Sequence, residues 1–597
     1  MKPEPVIDFE SYYDKKGISV TELGIPNYIA TTDAYILSVA RGDEGWCGEI
    51  KDFAHHCPEG LKPDPGEQVW AANSNFDEAW WNKYFTPLAR PWKCILDRAR
   101  VAQLPSTLAD LARVVLGKAV DKSVRDEMCG KRWEDLSSIE KDLVEEYCLH
   151  DSLSEAAILK VLPEMTPFEE RLAAQTRSLN RKGVCINETE VHRAKQTLET
   201  ACHAAYLAIP WSDYAKPLSY PEFCKWCLKK GVVAPASTSK GDRECEGWMK
   251  AHPECARVLL ATREFRRAHT LLEKVKTLHA RLVNGVLPLE LIYCGAAHTR
   301  RWSCRGFNIQ NLDRDEVPFE VSGLSGENSK VWTRKFIVPR PGKVFIILDL
   351  AQIEPRCLWY IVSDTRMLDM VRGGFGIYEA HARATMGWTG GNLKKEHSRL
   401  YQLAKARVLG LGYGCGPEKF QSVAKTKADL DLSLEQCERV VRDFRYSNPR
   451  IIQFWDDCDQ LIAAAAKDTA HQRVLEMGLY TGETLKHWHV LRTLGRYQSY
   501  TVKGDPKEME HHFWGGVLTE NIVQRTARDI LGVGLLRLED AGLNPVFHAH
   551  DEVILEVDAG NAREALQEAQ LILSTAPEWA PDLPLGVEGG IHHHYVK

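Results

Sequence analysis

Two acidic stretches, VFIILDLAQIEPR at residues 344–356 and FHAHDEVILEV at residues 547–557, are the most informative part of this sequence. In each stretch a carboxylate ends or interrupts an apolar run that has the composition of a buried strand. Carboxylates fixed at strand ends can hold two cations about 3.5–4 Å apart, the arrangement that phosphoryl transfer uses. Either stretch alone is also typical of an ordinary turn acid, so the interpretation depends on the residues between them.

The segment between the acidic stretches predicts a nucleotide-binding helix. In KKEHSRLYQLAKARVLGLGYG, residues 394–414, Lys405, Leu409 and Tyr413 recur every four residues. On a helix this spacing places a cation, an apolar side chain and an aromatic ring on one face. The ammonium could then meet a triphosphate, and the ring a base or sugar. An amphipathic helix ended by glycine explains the segment alone, but not its place between two acid clusters.

In this order the three segments resemble motifs A, B and C of the family A DNA polymerases, the bacterial DNA polymerase I type, and more closely its compact phage members. The resemblance implies that Asp349 and Asp551 bind two catalytic Mg²⁺ ions, for which Mn²⁺ can substitute. The carbonyl of Leu350 would be a further metal ligand, and Glu552 would have a supporting catalytic role. Lys405 would contact the triphosphate and protonate the leaving pyrophosphate.

The resemblance also implies how the nucleotide is selected. Gln352 and Glu354 would line the nucleotide site, with Glu354 as the steric gate that fills the space of a ribose 2'-hydroxyl. Tyr413 would pack near the incoming sugar and base pair. Leu409 stands where many relatives carry an aromatic residue, and Tyr401 stands where the family usually has arginine. Three nearby cations could replace that arginine: Lys395, Arg399 and Arg407.

Two further segments resemble the parts of the family that hold the primer-template. YCGAAHTRRWSCRGFNIQNL, residues 293–312, resembles the segment that ends in Gln-Asn-Leu, and ENIVQRTARDI, residues 520–530, resembles the helix that reaches the minor groove. Amides suit that groove because its N3 and O2 acceptors look alike in every base pair. Solvated or capping side chains are the alternative. The predicted DNA contacts are Arg301, Gln310, Asn311, Arg356, Gln524 and His550.

A second set of acids lies near the N-terminus. Strand geometry would direct Asp8 and Glu10 to the same face, and Tyr147 and Asp151 are one helical turn apart. With Asp77 between them, these residues resemble the DEDD family of 3'-5' exonucleases, in its tyrosine-bearing subclass. The resemblance implies that the four acids hold two Mg²⁺ ions and that the tyrosine orients the attacking water. Unrelated strand and helix acids are the alternative.

Length and composition favour several folding units. A chain of 597 residues with 44% apolar content exceeds what one core usually organises. We expect a multidomain α/β and α+β protein: a ribonuclease H-like exonuclease domain, residues 1–165, and a right-hand polymerase, residues 166–597. The thumb would span about 166–285, the palm about 286–390 and 500–597, and the mainly helical fingers about 391–499.

The net charge of -6 leaves DNA binding to local patches such as residues 257–276.

The 17 cysteines do not indicate disulfides, because no signal peptide or membrane-spanning stretch is present and a reducing cytoplasm is therefore expected. A zinc site is a weaker alternative, because buried free cysteine behaves as a small hydrophobe. The residues that invite it are Cys224, Cys227, Cys245, His252 and Cys255.

The combined hypothesis is a template-directed DNA polymerase that adds dNTPs to a primer and proofreads single-stranded 3' ends, replicating a phage genome. Its partners would be primer-template DNA, dNTPs and a replisome helicase, primase or processivity factor, with no membrane. A bacterial repair polymerase lacking a 5'-nuclease is one alternative. The others are a single-subunit RNA polymerase, an exonuclease with a degenerate polymerase half, and a non-enzymatic DNA clamp; Glu354 and two complete sets of acids argue against these three.

Overall fold

The computed structural model describes residues 2–15, 17–118, 123–319 and 326–596. The N-terminal part contains, in order, β1 (Val6–Ser11), α1 (Val20–Thr31), β2 (Ala34–Arg41), β3 (Glu44–Glu49), α2 (Phe53–His56), β4 (Trp70–Ala71), α3 (Ser74–Tyr84), β5 (Lys93–Cys94), α4 (Ile95–Val101), α5 (Leu108–Val115), α6 (Ser123–Glu127) and α7 (Ser138–Val161). The strands form one mixed sheet in the order β3-β2-β1-β4-β5.

The central strand β1 places its side chains on both faces of this sheet. Ile7 and Phe9 pack into one apolar cluster, and Val6 packs into a second cluster with α4, α5 and α7. Helix α7 begins with a capping box in which Ser137 and Glu140 satisfy each other's backbone N–H groups. This long helix packs against β1, β2 and β3, so its inner face lies over the middle of the sheet.

The next region is mainly helical: α8 (Pro167–Lys182), β6 (Val184–Ile186), α9 (Glu188–Leu207), α10 (Tyr220–Lys229), α11 (Arg243–Ala251), α12 (Pro253–Arg281) and β7 (Val286–Leu287). Helices α9 and α12 pack along each other, whereas α8 packs against the strands and helices that follow. Cys227, Cys245 and Cys255 lie buried in a small apolar core with Trp211 and Phe223. Among the described residues these cysteines do not form a group that could hold a metal.

The basic patch on α12 is partly used within the protein. Arg263 donates to the carbonyls of Thr238 and Ser239, at 2.9 Å each. The guanidinium of Arg267 lies over the ring of Phe319, 4.7 Å from its centroid. Arg266 is exposed. Only part of the patch is therefore available to bind the phosphates of a ligand.

The C-terminal half begins with β8 (Leu291–Ala296), β9 (Arg301–Cys304), β10 (Val317–Pro318), β11 (Lys330–Val331), β12 (Ile337–Val338), β13 (Lys343–Leu350), α13 (Ile353–Ile361), α14 (Thr365–Arg372) and α15 (Ile377–Thr385). It continues with α16 (Leu393–Glu396), α17 (Ser398–Leu411), α18 (Pro417–Ala428), α19 (Leu434–Ser447), α20 (Pro449–Lys467), β14 (Leu475–Gly478), β15 (Thr484–Thr493), β16 (Arg496–Tyr500) and β17 (Met509–Phe513). The last elements are α21 (Gly515–Asp540), β18 (Pro545–Ala549), β19 (Glu552–Asp558), α22 (Ala562–Ser574) and β20 (Val587–His592).

Both acidic stretches lie in one antiparallel sheet of order β18-β19-β13-β20. One face packs on the apolar core shared with α9 and α12, and the other packs on the largest core of the protein, which includes α13 and α21. Among the described residues, no helix is long and apolar enough to cross a membrane.

The expectation of a mainly helical region from about 390 to 500 is wrong at its C-terminal end. Residues from Leu475 onward form an antiparallel sheet of order β14-β15-β16-β17. Thr493 pairs with Arg496 across a two-residue turn, in which Leu494 and Gly495 both have positive φ values of 51° and 82°. A Gly-containing turn of this kind matches the twist of a hairpin, and Leu485 and Val490 supply its buried side.

Candidate active sites

The C-terminal sheet brings Asp349 and Asp551 to the same end of neighbouring strands. Asp349 stands opposite Glu552 in the β13–β19 register, and the backbone N–H of Leu350 donates to the carbonyl of Asp551 at 2.9 Å. Asp551 lies in the two-residue turn between β18 and β19, where His550 has φ 58°. The turn therefore holds one acid beside the strand that carries the other.

The residues after Asp349 turn sharply into α13. Gln352 has a left-handed backbone at the N-terminus of this helix, with φ 46°. Arg356 is 7% exposed and donates to the carbonyls of Ala351 at 2.8 Å and Pro584 at 2.6 Å. The structure thus places Arg356 where its guanidinium stabilises the turn through hydrogen bonds to backbone carbonyls. The sequence predicts a DNA contact for this residue.

Two predicted residues, Arg301 and Tyr413, meet at Glu354. Its carboxylate forms an ion pair with Arg301, and it accepts a hydrogen bond from the Tyr413 hydroxyl at 3.4 Å. Burial, followed by the charge of Glu354, raises the pKa of Tyr413 well above its usual value. Glu354 is therefore held between a cation and a phenol at the N-terminus of α13.

Tyr413 lies just beyond the end of α17, although the four-residue spacing predicts a continuous helical face. The helix ends at Leu411, and Gly414 has φ 78°. A Cβ atom at Gly414 would lie 2.2 Å from the Trp514 ring, so only glycine allows this close approach. Lys405, on the helix itself, is half-buried. The turn brings the Tyr413 hydroxyl to Glu354.

A cleft of about 300 Å³ opens between these elements. Its lining combines predicted residues from both acidic stretches, from the Gln-Asn-Leu segment and from α17: Arg301, Gln310, Gln352, Glu354, Leu409, His550 and Asp551. It also contains residues that the sequence did not single out: Trp302, Arg314, Arg528 and His548. The remaining predicted DNA contacts lie nearby on the chain. Asn311 is exposed beside Gln310, and Gln524 on α21 donates to Glu520 at 3.1 Å.

Glu552 is anchored by the C-terminal end of the described chain. It is 2% exposed, and its carboxylate lies 3.7 Å from the guanidinium of Arg334. Tyr595 is fully buried and lies under Arg334, at 4.4 Å from guanidinium carbon to ring centroid, and burial, followed by the charge of Glu552, raises the pKa of its hydroxyl. Sequence spacing could not reveal these two partners, since they come from distant segments.

The N-terminal sheet assembles the second acid set. Asp8 and Glu10 on β1 and Asp151 on α7 place carboxylate oxygens within 4.8 Å of one another. Asp77 on α3 is 2% exposed. Burial raises the pKa of Asp8 well above its usual value, and the neighbouring carboxylates add to this effect. The cluster is therefore costly to keep ionised unless a cation neutralises it.

Tyr147 hydrogen bonds with Asp151, and burial followed by the Asp151 charge raises the pKa of its hydroxyl. The phenol is therefore a proton donor at neutral pH. Sequence reasoning missed a fifth acid, Glu155, which is fully buried one turn beyond Asp151 and accepts the backbone N–H of Ala72 at 3.0 Å. Its i, i+4 spacing from Asp151 was the available signal. Arg125 on α6 is a cation near Glu10.

A buried ionic network joins α8 to α21 behind the cleft. Arg528 donates to both carboxylate oxygens of Glu169 at 3.0 Å, and Arg525 donates to one of them at 2.8 Å. Asp529 accepts from both arginines, at 3.0 and 2.9 Å. Burial alone would raise the Glu169 pKa, but the two arginines lower it to well below its usual value. The four charges sum to zero.

Acid should destabilise the protein through its buried histidines. Burial lowers the pKa of His487 to about 3, so the unfolded chain, with a pKa near 6.5, binds the proton first. Stability is thus retained above pH 6.5 and lost as pH falls towards 3. Between pH 6.5 and 5 we expect this residue to lower the free energy of unfolding by about 2 kcal/mol. In urea unfolding, the free energy of unfolding should depend less steeply on pH in His487→Gln than in wild type. The same pH dependence in both proteins would contradict the lowered pKa of His487.

Comparison with known proteins identifies the class. The model of DNA polymerase family A matches residues 249–597. A DNA polymerase of Bacillus phage SP02 is 26% identical over 601 residues, which cover 88% of this chain and 89% of that protein. DNA polymerase I of Aquifex aeolicus is 25% identical over 388 residues, which cover 64% of this chain and 58% of that protein.

Among solved structures, the POL domain of Pol1 from M. smegmatis, in complex with DNA primer-template and dNTP, has the same fold. The TM-score is 0.65 at 16% identity, over 100% of this chain and 96% of that one. The fold is therefore that of a polymerase. The chain belongs to DNA polymerase family A. This confirms the family and the fold class expected from the three motifs.

Proposed function

We propose that the chain extends a primer 3' end on a DNA template with dNTPs by two-metal-ion catalysis, and removes mispaired 3' nucleotides at a separate exonuclease site. The observation that best supports the polymerase activity is that Asp349 and Asp551 lie together at one end of the sheet, beside the group formed by Arg301, Glu354 and Tyr413. Asp551 thus lines the same cleft as Arg301 and Glu354, and Asp349 lies on the strand beside it.

The donor sets of both sites fit Mg²⁺, which prefers hard oxygen ligands and binds through one or two carboxylates plus substrate phosphates. Asp349, Asp551 and the Leu350 carbonyl would hold the ions of the polymerase site. The exonuclease ions would be held by Asp8, Glu10, Asp77 and Asp151. When bound, such ions activate the primer 3'-hydroxyl or a water molecule and stabilise the departing oxygen.

The protein's own residues would do the remaining work of synthesis. Lys405 would neutralise the triphosphate and donate a proton to the leaving pyrophosphate. Closing of the helix that carries it over a correct base pair would exclude water. Glu354, held by Arg301 and Tyr413, would occupy the space of a ribose 2'-hydroxyl. In the exonuclease site, Tyr147 would orient the attacking water through its protonated hydroxyl.

Glu354→Ala should relax sugar selection. Removing the carboxylate opens room for a 2'-hydroxyl, and pocket discrimination of this kind is worth about 10–100-fold. We expect the ratio of kcat/KM for dNTP over rNTP to fall by about that factor in single-nucleotide incorporation assays. Tyr413→Phe, which removes only the hydrogen bond to Glu354, should change the ratio far less. An unchanged ratio in Glu354→Ala would contradict the gate assignment.

The proposed function is tested by incubating the purified protein with a labelled primer on a longer template. With Mg²⁺ and four dNTPs the primer should lengthen, without dNTPs it should shorten, and with a chelator it should do neither. Mn²⁺ should restore both reactions. Lengthening without a divalent cation would contradict the two-metal proposal, and a primer that never shortens would contradict the exonuclease.

The similarity to the phage SP02 DNA polymerase, across most of both chains, supports a role in copying a phage genome. We propose that the protein works in the host cytoplasm with a helicase, a primase or a processivity factor. A bacterial repair role is the second candidate, supported by the 25% identity to the Aquifex DNA polymerase I over 388 residues.

A further inference from the structure

Glu155 on α7 is a buried acid at the N-terminal cluster to which the DEDD pattern assigns no role. It is fully buried, and one of its carboxylate oxygens accepts the backbone N–H of Ala72 at 3.0 Å. After burial, the charge of Glu155 is the largest cause of the raised pKa of Asp8, so the two carboxylates lie close together. Because burying a carboxylate is costly, its presence here calls for an explanation.

The helices that carry Asp77 and Asp151 pack in different apolar clusters. Asp77 lies on α3, whose Trp80 belongs to the cluster on one face of the N-terminal sheet. Asp151 lies on α7, whose Ile158 belongs to a cluster on the other face, with Val6 of β1. The apolar packing of one helix therefore does not fix the position of the other.

The hydrogen bond between Ala72 and Glu155 joins these two layers. Ala72 lies between β4 and α3, and its carbonyl accepts the backbone N–H of Leu96 at 3.3 Å. Glu155 lies one helical turn after Asp151, on the same face of α7. The bond thus holds the start of α3 at a set distance from the turn of α7 that carries Asp151. Asp77 is in the first turn of α3, so its position follows.

This spacing matters because two cations about 3.5–4 Å apart need ligands at defined positions. One carboxylate oxygen of Asp77 is buried and has no hydrogen-bond partner among the residues that the structure describes, which leaves it available to a cation. Residues that orient metal ligands from behind typically change metal affinity or activity by about 10–100-fold when they are replaced. Glu155 is placed to act in this way.

We propose that Glu155 is a positioning residue of the N-terminal metal site: by accepting the Ala72 N–H, it sets the spacing of Asp77 and Asp151 in which two cations bind. The inference rests on the proposed exonuclease function and adds a residue that does not touch the substrate. The role requires an acceptor oxygen at this position and not a negative charge. Glutamine should therefore replace Glu155, whereas leucine, which is similar in size but has no acceptor, should not.

The test compares the full chain with Glu155→Gln and Glu155→Leu, each in an Asp551→Ala background that weakens metal binding at the polymerase site. Electron paramagnetic resonance of free Mn²⁺ measures metal affinity, and shortening of a labelled single-stranded oligonucleotide measures the Mg²⁺ requirement. Glu155→Leu should bind Mn²⁺ about tenfold more weakly and need about tenfold more Mg²⁺ for half-maximal rate. Glu155→Gln should match the unsubstituted protein in both measurements, as should Glu146→Leu, an exposed acid on the same helix.

Equal Mn²⁺ affinity in Glu155→Leu and Glu155→Gln would overturn the inference. A Glu155→Gln protein as weak as Glu155→Leu would also overturn it, because the charge and not the acceptor would then matter. Equal melting temperatures exclude unfolding; if Glu155→Leu melts lower, Glu155→Met, which also lacks the acceptor, takes its place. If the protein shortens no DNA, the proposed exonuclease fails, while the Mn²⁺ affinities still decide the role of Glu155.

Discussion

Asp349→Asn should reduce primer extension by about 10³-fold or more. The substitution keeps the size of the side chain but removes the negative charge that would bind a catalytic cation. Such a cation stabilises the transition state by several kcal/mol, and each 1.36 kcal/mol changes the rate tenfold. Single-turnover incorporation of one dNTP measures the effect. The fold should be unchanged, since Asp349 is at a strand end and only half-buried.

Asp558→Asn is the matched control for this prediction. It lies on β19 at the opposite end of the same strand pair, is largely exposed, and pairs with Lys343 at 3.0 Å. An exposed ion pair contributes little to stability, so we expect extension within about twofold of wild type. If Asp349→Asn extended primers as fast as this control, the acid would have no catalytic role.

Glu169→Gln should cause the largest loss of stability. The change leaves the two buried guanidinium groups of Arg525 and Arg528 with only Asp529 as a counter-charge. Breaking a buried ion pair by removing one partner costs about 3–5 kcal/mol. We expect a much lower melting temperature in calorimetry. Because α8 and α21 meet through this network, the loss should concern the unfolding transition that includes these two helices.

The neighbouring Glu170 provides the control. It pairs with Lys93 at 2.7 Å, but its side chain is 41% exposed. Glu170→Gln should therefore change stability by less than about 1 kcal/mol. Equal melting temperatures for the two variants would show that the buried network is not stabilising.

The sequence predicted those parts of the fold and sites that depend on local pattern. Asp349 and Asp551 could be located because each follows or interrupts an apolar run, and the structure places both at one end of the same sheet. The alternation of Asp8 and Glu10 likewise placed both on one face of β1, where they meet Asp151. Their catalytic roles stay predictions.

Features that depend on tertiary contacts could not be read from the sequence. Tyr413 reaches Glu354 only because the chain leaves the helix at Leu411 and packs on Trp514. The anchoring of Glu552 by Arg334 and Tyr595 joins three distant segments. The hairpin at residues 484–500 was missed because helical patterns before it dominated the segment, although Leu494-Gly495 marks its turn.

The most direct test of two independent active sites compares wild type with Asp551→Ala and Asp8→Ala on one labelled primer-template. We expect that Asp551→Ala no longer extends the primer but still shortens it without dNTPs, and that Asp8→Ala does the reverse. If Asp551→Ala still extended the primer, or if either substitution removed both activities from a folded protein, the account of two separate sites would be contradicted.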